Sequence, residues 1–204
     1  FGKIDGQDVI VGGEDFTVKG GSPNAAGLRK SVYTEDLAVK HKFPLVRLHE
    51  GGGGSVAGPS KEKKGYGGDP VFARSRFKSV AQTLKEVPVV SAALGPVAGL
   101  PASRFVGSHF RIMVKDNAQI LVAGPAVVSR AFGKDFTKEE LGGSDVHKKN
   151  GVTDNIAESE EDAFNQIKKF LSFFPANIYE LPPKKNSKDE TDRSEKILEE
   201  IIPK

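Results

Sequence analysis

The sequence predicts an α/β fold. Short apolar runs of strand length alternate along the chain with segments of helical periodicity. Two of those runs, Phe43-Pro44-Leu45-Val46-Arg47-Leu48 and residues 87–94, are too continuously apolar for half-exposed strands and read as buried ones. Each is closed by glycine: Gly51 to Gly54 in one case, Gly95-Pro96-Val97-Ala98-Gly99 in the other. Glycine punctuation directly after a buried strand marks either a tight turn or a place where bare backbone must come close to something.

The elements follow in order. Ile4-Asp5-Gly6-Gln7-Asp8 has the composition of a hairpin turn and leads into a strand over 9–11. A second short strand is expected over 14–18. Gly20-Gly21-Ser22-Pro23 then opens a helix, with Ser22 as cap and Pro23 in the first turn. Leu28, Val32, Leu37 and Val39 give that helix an apolar side to about residue 42. A strand over 45–48 precedes a Gly/Ser/Lys-rich loop over 51–69, long enough to expect a function or disorder. A helix over 70–85, the buried strand 87–94 and a small-residue helix over 97–106 come next. Strands are expected over 110–114 and 119–123, joined at Lys115-Asp116-Asn117. Gly124-Pro125 opens a helix to about 132. Thr137-Lys138-Glu139-Glu140 has capping-box spacing. A strand over 153–157 and an amphipathic helix over 158–174, with Ala163, Ile167, Phe170, Leu171 and Phe174 inward, complete the domain.

At 204 residues the chain can bury a full core. Thirty basic residues against 27 acidic, scattered, argue against a dedicated nucleic-acid binder while tolerating a phosphate-bearing ligand. The absence of cysteine excludes disulfides, thiolate zinc sites and a cysteine nucleophile. No apolar stretch approaches the roughly 20 residues of a membrane span. No targeting segment is visible, and the start at Phe1 reads as the interior of a longer polypeptide. From residue 182 the composition turns to Lys, Asp, Glu, Asn and Ser, a linker. An apolar stripe over 194–203 then has nothing left in the chain to pack on. The expected organisation is a domain over 1–181 and, over 182–204, a linker and the start of a further domain.

Several chemistries fail on spacing. Gly21 and Gly27 enclose five residues, and Leu28-Arg29 intervene before Lys30-Ser31, so the P-loop pattern is not met. No G-x-G-x-x-G follows a strand. His41, His49, His109 and His147 are dispersed, without metal-ligand spacing, and no metal is expected. His41 and His109 are expected at the surface or in packing. His49 lies beside the glycine run and His147 in a polar loop, where either has some prospect of reaching an active site. There is no G-x-S-x-G elbow, and Ser55 and Ser91 have no convincing His/Asp companions. Backbone chemistry remains. Two strand ends presenting N–H groups can form an oxyanion hole, as for a thioester enolate. The competing reading is that the glycines serve only turns and a loop.

The order of motifs resembles the N-terminal half of the carboxyltransferase (β) subunit of biotin-dependent acyl-CoA carboxylases of the propionyl-, acetyl- and methylcrotonyl-CoA type. Ile4-Asp5-Gly6 and Asp15-Phe16-Thr17-Val18-Lys19-Gly20-Gly21-Ser22 match its opening ("DFTVxGGS"). Residues 48–54 stand where the family has "DSGGAR", and Gly95-Pro96-Val97-Ala98-Gly99 where it has "GPCAGG". Gly124-Pro125-Ala126-Val127-Val128, then Glu139-Glu140-Leu141-Gly142-Gly143 with His147 and Gly151-Val152, and finally Asp192-Arg193-Ser194 follow in family order. Each motif is weak alone; seven in order are specific.

The resemblance implies a crotonase-like (ClpP/crotonase) ββα spiral. It implies that CO2 passes from carboxybiotin, whose ureido group acts as base, to the α-carbon of an acyl-CoA. The enolate would be held by main-chain N–H groups from Gly53 or Gly54 and from Gly99 or Leu100. Gly20, Gly21, Ser22, Gly95, Ala98, Gly124 and Pro125 are the implied substrate-binding residues. The implied partners are a biotin carboxylase/biotin carrier subunit, an acyl-CoA and further copies of the chain, dimer-based and hexameric in the full-length family. Neither nucleic acid nor membrane is implied. The compartment would be the cytoplasm, or the mitochondrial matrix in a eukaryote. Two departures stand out. Glu50-Gly51-Gly52-Gly53-Gly54-Ser55 lacks the family arginine, and Leu100 replaces the second glycine of "GPCAGG". They favour a divergent branch over the propionyl-CoA type. An acyl-CoA decarboxylase or other crotonase-like enzyme, or a non-catalytic CoA-binding or assembly subunit, are the alternatives. Without the second half that receives biotin, the chain alone is expected to have little or no carboxyltransferase activity.

Overall fold

A computed structural model describes residues 1–22, 25–53, 76–182, 184 and 186–201. Strands β1 (Gly2–Ile4) and β2 (Gln7–Gly13) form the expected hairpin around Asp5 and Gly6, both at positive φ. Helix α1 (Ala25–His41) carries the chain to β3 (Leu45–Gly51), and α2 (Arg76–Glu86) to β4 (Val89–Ala98). Then come α3 (Leu100–Val106), β5 (Phe110–Val114), β6 (Gln119–Leu121), α4 (Pro125–Phe132), α5 (Lys138–Gly142), α6 (Ser144–Asn150), β7 (Asn155–Ala157), α7 (Glu160–Leu171) and α8 (Leu198–Ile201).

The strands make one sheet in the order β1-β2-β3-β4-β5-β7. Among the described residues only the β1–β2 pair is antiparallel. β5 and β6 do not pair with each other. They lie end to end along β4, β5 on Val90 to Ala93 and β6 on Pro96 to Ala98. The main core gathers Val90, Ala92, Phe105, Ile112, Met113, Ala163, Ile167 and Leu171 between β4, β5, α3 and α7. A smaller core joins Ile10, Ala38, Leu45, Val87 and Val89. On α7, Ala163, Ile167 and Leu171 are buried as the periodicity predicts. Phe170 instead stacks on Phe110 at the core margin, ring centroids 5.2 Å apart.

Four expectations are revised. No strand forms over 14–18, because the Asp15 carboxylate accepts from both the N–H and the hydroxyl of Thr17 and turns the chain, leading into a single 3-10 turn at Lys19–Gly21. The buried run at 87–94 does not stop at Gly95-Pro96. β4 continues to Ala98, since both its sides are occupied by β3 and β6 there. Among the described side chains of α1 the fully buried ones are Glu35 and Ala38, while the proposed stripe of Leu28, Val32, Leu37 and Val39 is half-buried. Residues 144–150 are helix α6, not a polar loop. Most of the 51–69 loop, with Ser55, and the start of the 70–85 helix lie outside the described residues.

The capping box at α5 forms as its spacing predicts. Thr137 Oγ1 accepts from the Glu140 N–H at 3.1 Å, and the Glu140 carboxylate accepts from the Thr137 N–H at 2.8 Å. Donation from the Thr137 N–H, the larger cause, and from the Thr137 hydroxyl holds the Glu140 carboxyl below its usual range. Replacing Thr137 with alanine is expected to cost about 1 kcal/mol in a denaturant titration, the usual loss for an N-cap.

Candidate functional site

Parallel pairing brings the two glycine-punctuated strand ends together. Gly51 of β3 is in register with Val97 of β4, so Gly53 emerges beside Gly99. A Cβ built on Gly53 would lie 3.1 Å from both the Ala98 carbonyl oxygen and the Gly99 Cα, and one built on Gly99 would lie 3.0 Å from the Gly53 Cα. Gly99 has φ +66°, which favours glycine on its own account. The two main chains therefore touch as bare backbone. Gly54 lies outside the described residues.

The rest of the glycine run serves a second close contact. Gly21, at φ +67°, presses on Gly51 so tightly that a Cβ would stand 2.4 Å from the Gly51 Cα. The Gly52 N–H donates to the Gly20 carbonyl at 2.8 Å. Gly20, Gly21 and the end of β3 thus form a backbone-to-backbone clasp. For Gly51 and Gly52 the packing reading of the glycine run holds.

Main-chain donors differ in availability. The Gly99 N–H is spent on the Leu121 carbonyl at 3.2 Å. The N–H groups of Gly53 and of Leu100, first residue of α3, have no hydrogen-bond partner among the described residues. Leu100 is at the wall of a cavity of about 550 Å³ between α1, α3 and β3. Gly21 and Ser22 also line it. Gly20, Gly53, Gly95, Ala98 and Gly99 are not in that lining, and neither are Gly124 and Pro125. Gly95 makes room for Glu50, whose side chain lies where a Cβ would go. Gly124 caps α4, with Pro125 at its first position.

The cavity wall carries charges that the sequence reading did not single out. Alternation along β3 turns Arg47 and His49 to the same face of the sheet. Arg47 meets Glu35 from α1 (Nη2 to Oε1, 2.9 Å), and Arg104 from α3 reaches the same oxygen (Nε to Oε1, 2.9 Å). Arg47 also donates to the carbonyls of Arg104 and Gly107, 3.2 Å each. All three side chains are at least 95% buried. Burial lowers the Arg47 guanidinium to about 10, and Arg104 adds to that, while Glu35 pulls it back up. One clue was available: a lone arginine in an apolar strand needs a buried carboxylate somewhere.

Ser91 does have a histidine companion. His49 Nε2 lies 3.3 Å from Ser91 Oγ, and His49 Nδ1 lies 3.1 Å from Glu14 Oε2. Ser91 is completely buried, and its hydroxyl is also bonded to Ser108 Oγ at 2.7 Å. This order of groups is that of a nucleophile relay, but an acyl carbon cannot reach that oxygen, so it works as packing. His147 is buried too, donating from Nε2 to the Ile120 carbonyl at 2.8 Å. It ties α6 to β6 and is absent from the cavity wall. His41 is exposed beside Phe1 and Phe43, and His109 accepts from the Val89 N–H at 3.1 Å. Among the described residues no cluster of His, Asp and Glu has the makings of a metal site, and no helix is long and apolar enough to cross a membrane.

A parallel sheet whose neighbouring strands end in touching glycine backbones, with the free Leu100 N–H at a cavity wall, belongs to the crotonase-like class of α/β domains, as the likeness to transcarboxylase 12S given below shows. The chain belongs to the carboxyl transferase domain family, whose model matches residues 1–204. It is 32% identical over 204 residues to the methylmalonyl-CoA decarboxylase subunit alpha of Veillonella parvula, covering 100% of this chain and 39% of that protein. The same figures hold for the propionyl-CoA carboxylase beta chain of Roseobacter denitrificans. The human mitochondrial propionyl-CoA carboxylase beta chain is 30% identical over 203 residues, 99% of this chain and 36% of that one. The solved transcarboxylase 12S with methylmalonyl-CoA and methylmalonic acid bound superposes with a TM-score of 0.71 at 27% identity, covering 99% of this chain and 38% of that structure. The chain thus spans about two fifths of the length of these relatives.

Proposed function

We propose that this chain is the acyl-CoA-binding half of a biotin-dependent acyl-CoA carboxyltransferase. The observation that carries the reading is the pair of unpartnered N–H groups, Gly53 and Leu100, on strand ends whose backbones meet at Gly53 and Gly99. The thioester oxygen of an acyl-CoA accepts from the Leu100 N–H, at the cavity wall, and from that of Gly53 or Gly54. Gly99 supplies the turn rather than a donor. As the α-proton leaves, negative charge collects on that oxygen, and fixed dipoles stabilise it without reorganising. Carboxybiotin, brought by a biotin carrier partner, would supply the CO2 that the α-carbon attacks, and the biotin ureido group, freed of CO2, would take up the α-proton.

The loss of the family's second glycine at Leu100 is compatible with this chemistry, because leucine keeps its amide. A decarboxylase of the same fold uses the same enolate, and the equal similarity to a methylmalonyl-CoA decarboxylase subunit supports it as the second reading. Copurification with a biotinylated partner separates an active assembly from a non-catalytic CoA-binding subunit. Residues 1–181 form the binding domain in this reading. The exposed Ile197, Leu198 and Ile201 in the 182–204 segment suit packing on a further domain. Assembly is as dimer-based oligomers, in the cytoplasm or the mitochondrial matrix.

Leu100→Pro is the sharpest test. Proline is well accommodated at the first position of a helix, so α3 survives while the N–H disappears. Carboxylation by the assembled enzyme is expected to fall about 100- to 1000-fold, the usual loss for one oxyanion donor. Turnover within threefold of wild type in a folded variant would remove Leu100 from the site.

A further inference from the structure

The chain of hydrogen bonds behind β3 is closed at one end and open at the other. Ser91 is completely buried. Glu14 is not: its side chain is 24% exposed, and Glu14 and His49 both line the cavity that Leu100 lines. Glu14 Oε2 is bonded to His49 Nδ1 at 3.1 Å. Glu14 Oε1 has no hydrogen-bond partner among the described residues, and it is not one of the buried unpaired atoms, which are Glu35 Oε2, Arg104 Nη2 and Gln119 Oε1. A carboxyl oxygen is therefore presented at the cavity wall. The other two carboxylates of that wall are engaged, Glu35 with Arg47 and Arg104, and Asp15 with Thr17.

The Glu14 side chain is also placed. Its N–H donates to the Leu48 carbonyl at 3.1 Å, which carries the pairing of β2 with β3 one step past Gly13. A Cβ built on Gly51 would stand 3.4 Å from Glu14 Oε2, so the carboxyl lies against the end of β3. Gly53 is two residues further, at most about 7 Å along the chain.

The groups behind Glu14 tolerate a proton gained or lost. Ser91 Oγ lies 3.3 Å from His49 Nε2 and 2.7 Å from Ser108 Oγ, and Ser108 Oγ reaches the Arg104 carbonyl at 3.0 Å. With the Ser108 hydroxyl on that carbonyl, Ser91 donates to Ser108 and accepts from Nε2–H, and both imidazole nitrogens carry protons. With the Ser108 hydroxyl on Ser91, Ser91 donates to Nε2, and His49 keeps only the Nδ1 proton, given to Glu14. The Arg104 carbonyl then retains its Arg47 donor. Each arrangement leaves all of these groups bonded. A carboxyl that changes charge at every turnover needs such backing.

We propose that Glu14 is an acid–base catalyst for the α-carbon of a bound acyl-CoA, taking its proton and returning one without biotin, with His49 as the positioning residue. This rests on the acyl-CoA reading given above. A thioester held at the Gly53 and Leu100 N–H groups has its α-carbon two bonds from that oxygen, facing the wall that Glu14 occupies. The α-C–H bond breaks, its proton goes to Glu14 Oε1, and the electron pair moves into the enolate, whose charge the N–H groups hold. In the reverse step the enolate carbon takes a proton from Glu14, which is what an enolate left by loss of CO2 also requires. Exchange with water at the exposed oxygen renews the proton, so no co-reactant is consumed.

The experiment follows deuterium entering propionyl-CoA in D2O by mass spectrometry, using the assembled enzyme with avidin added so that no biotin can take the proton. Exchange at the α-carbon is expected at least 100-fold above buffer, within the range of one positioned acid–base group. Glu14→Gln, which keeps the shape but cannot take the proton, is expected to lose at least 100-fold. His49→Gln is expected to lose at least tenfold at saturating propionyl-CoA with the half-saturating concentration within threefold, a split that mere loosening of the cavity would not give. If Glu14→Gln does not fold, Glu14→Asp, which keeps the charge and draws the oxygen back by one carbon, is expected to lose at least tenfold. Wild-type enzyme that binds propionyl-CoA by calorimetry but exchanges no faster than buffer would overturn the proposal, as would a folded Glu14 variant within threefold of wild type. Failure to bind acetyl-CoA or propionyl-CoA at millimolar concentration would instead bring down the acyl-CoA reading itself, and the role of Glu14 with it.

Discussion

Gly21→Ala is expected to destabilise the protein by about 4 kcal/mol, beyond the range of ordinary substitutions. Two causes add. At φ +67° an L-residue carries roughly 1–2 kcal/mol of steric cost wherever it sits. In addition, the new methyl would stand 2.4 Å from the Gly51 Cα and 2.6 Å from the Glu50 carbonyl oxygen, both backbone atoms of a central strand. Main chain cannot rotate away as a side chain would, so the 20–22 segment must lift from the end of β3. Gly20→Ala is the internal control. Its φ is +64°, but nothing lies within 4 Å of the new methyl, so only the roughly 1–2 kcal/mol backbone cost applies. Urea midpoints at unchanged slope measure both. Equal losses for the two variants would show that the clasp is not a tight contact.

The same pair shows what was legible in the sequence. Alternating strand and helix patterns were enough for the α/β class and for most element positions, because periodicity is a local property. The residues themselves offered two strand ends with bare backbone, and the family resemblance named Gly53 or Gly54 with Gly99 or Leu100; that Gly53 touches Gly99 is a finding of the structure. What stayed hidden depended on which strands flank which. Gly95-Pro96 has the composition of a turn, yet it lies inside β4, paired to β6, and Gly95 is needed there for Glu50. The stretch after Glu14 has strand composition, yet the Asp15 side chain competes for the backbone and wins. The polar loop assigned to His147 was a short helix whose cap, Gly143, offers no side chain to signal it. Glu35, Arg47 and Arg104 are far apart in the chain. Only the topology α1-β3-α3 makes them one cluster.

That cluster carries the other large effect. Glu35→Gln keeps the shape of the side chain but leaves two buried guanidiniums facing each other without a carboxylate. Removing one partner from a buried ionic group costs about 3–5 kcal/mol, and the loss here belongs at the upper end because two charges depend on Glu35. The triple variant Glu35→Leu, Arg47→Met, Arg104→Leu removes the charges together and is expected to be about as stable as wild type, within roughly 1 kcal/mol. It does not gain more, because the Gly107 carbonyl loses the Arg47 donor, whereas the Arg104 carbonyl keeps the Ser108 hydroxyl. The pH dependence has a definite sign. Arg47 is a base whose folded value, about 10, lies below its ordinary one. Its charge therefore opposes folding at neutral pH, and that opposition is relieved as pH rises from about 10, where the unfolded chain binds the proton that the native one has lost. The stability difference between wild type and triple variant should move in favour of wild type across that window. A triple variant as unstable as Glu35→Gln would show that the cluster holds the fold by its charges rather than by its volume.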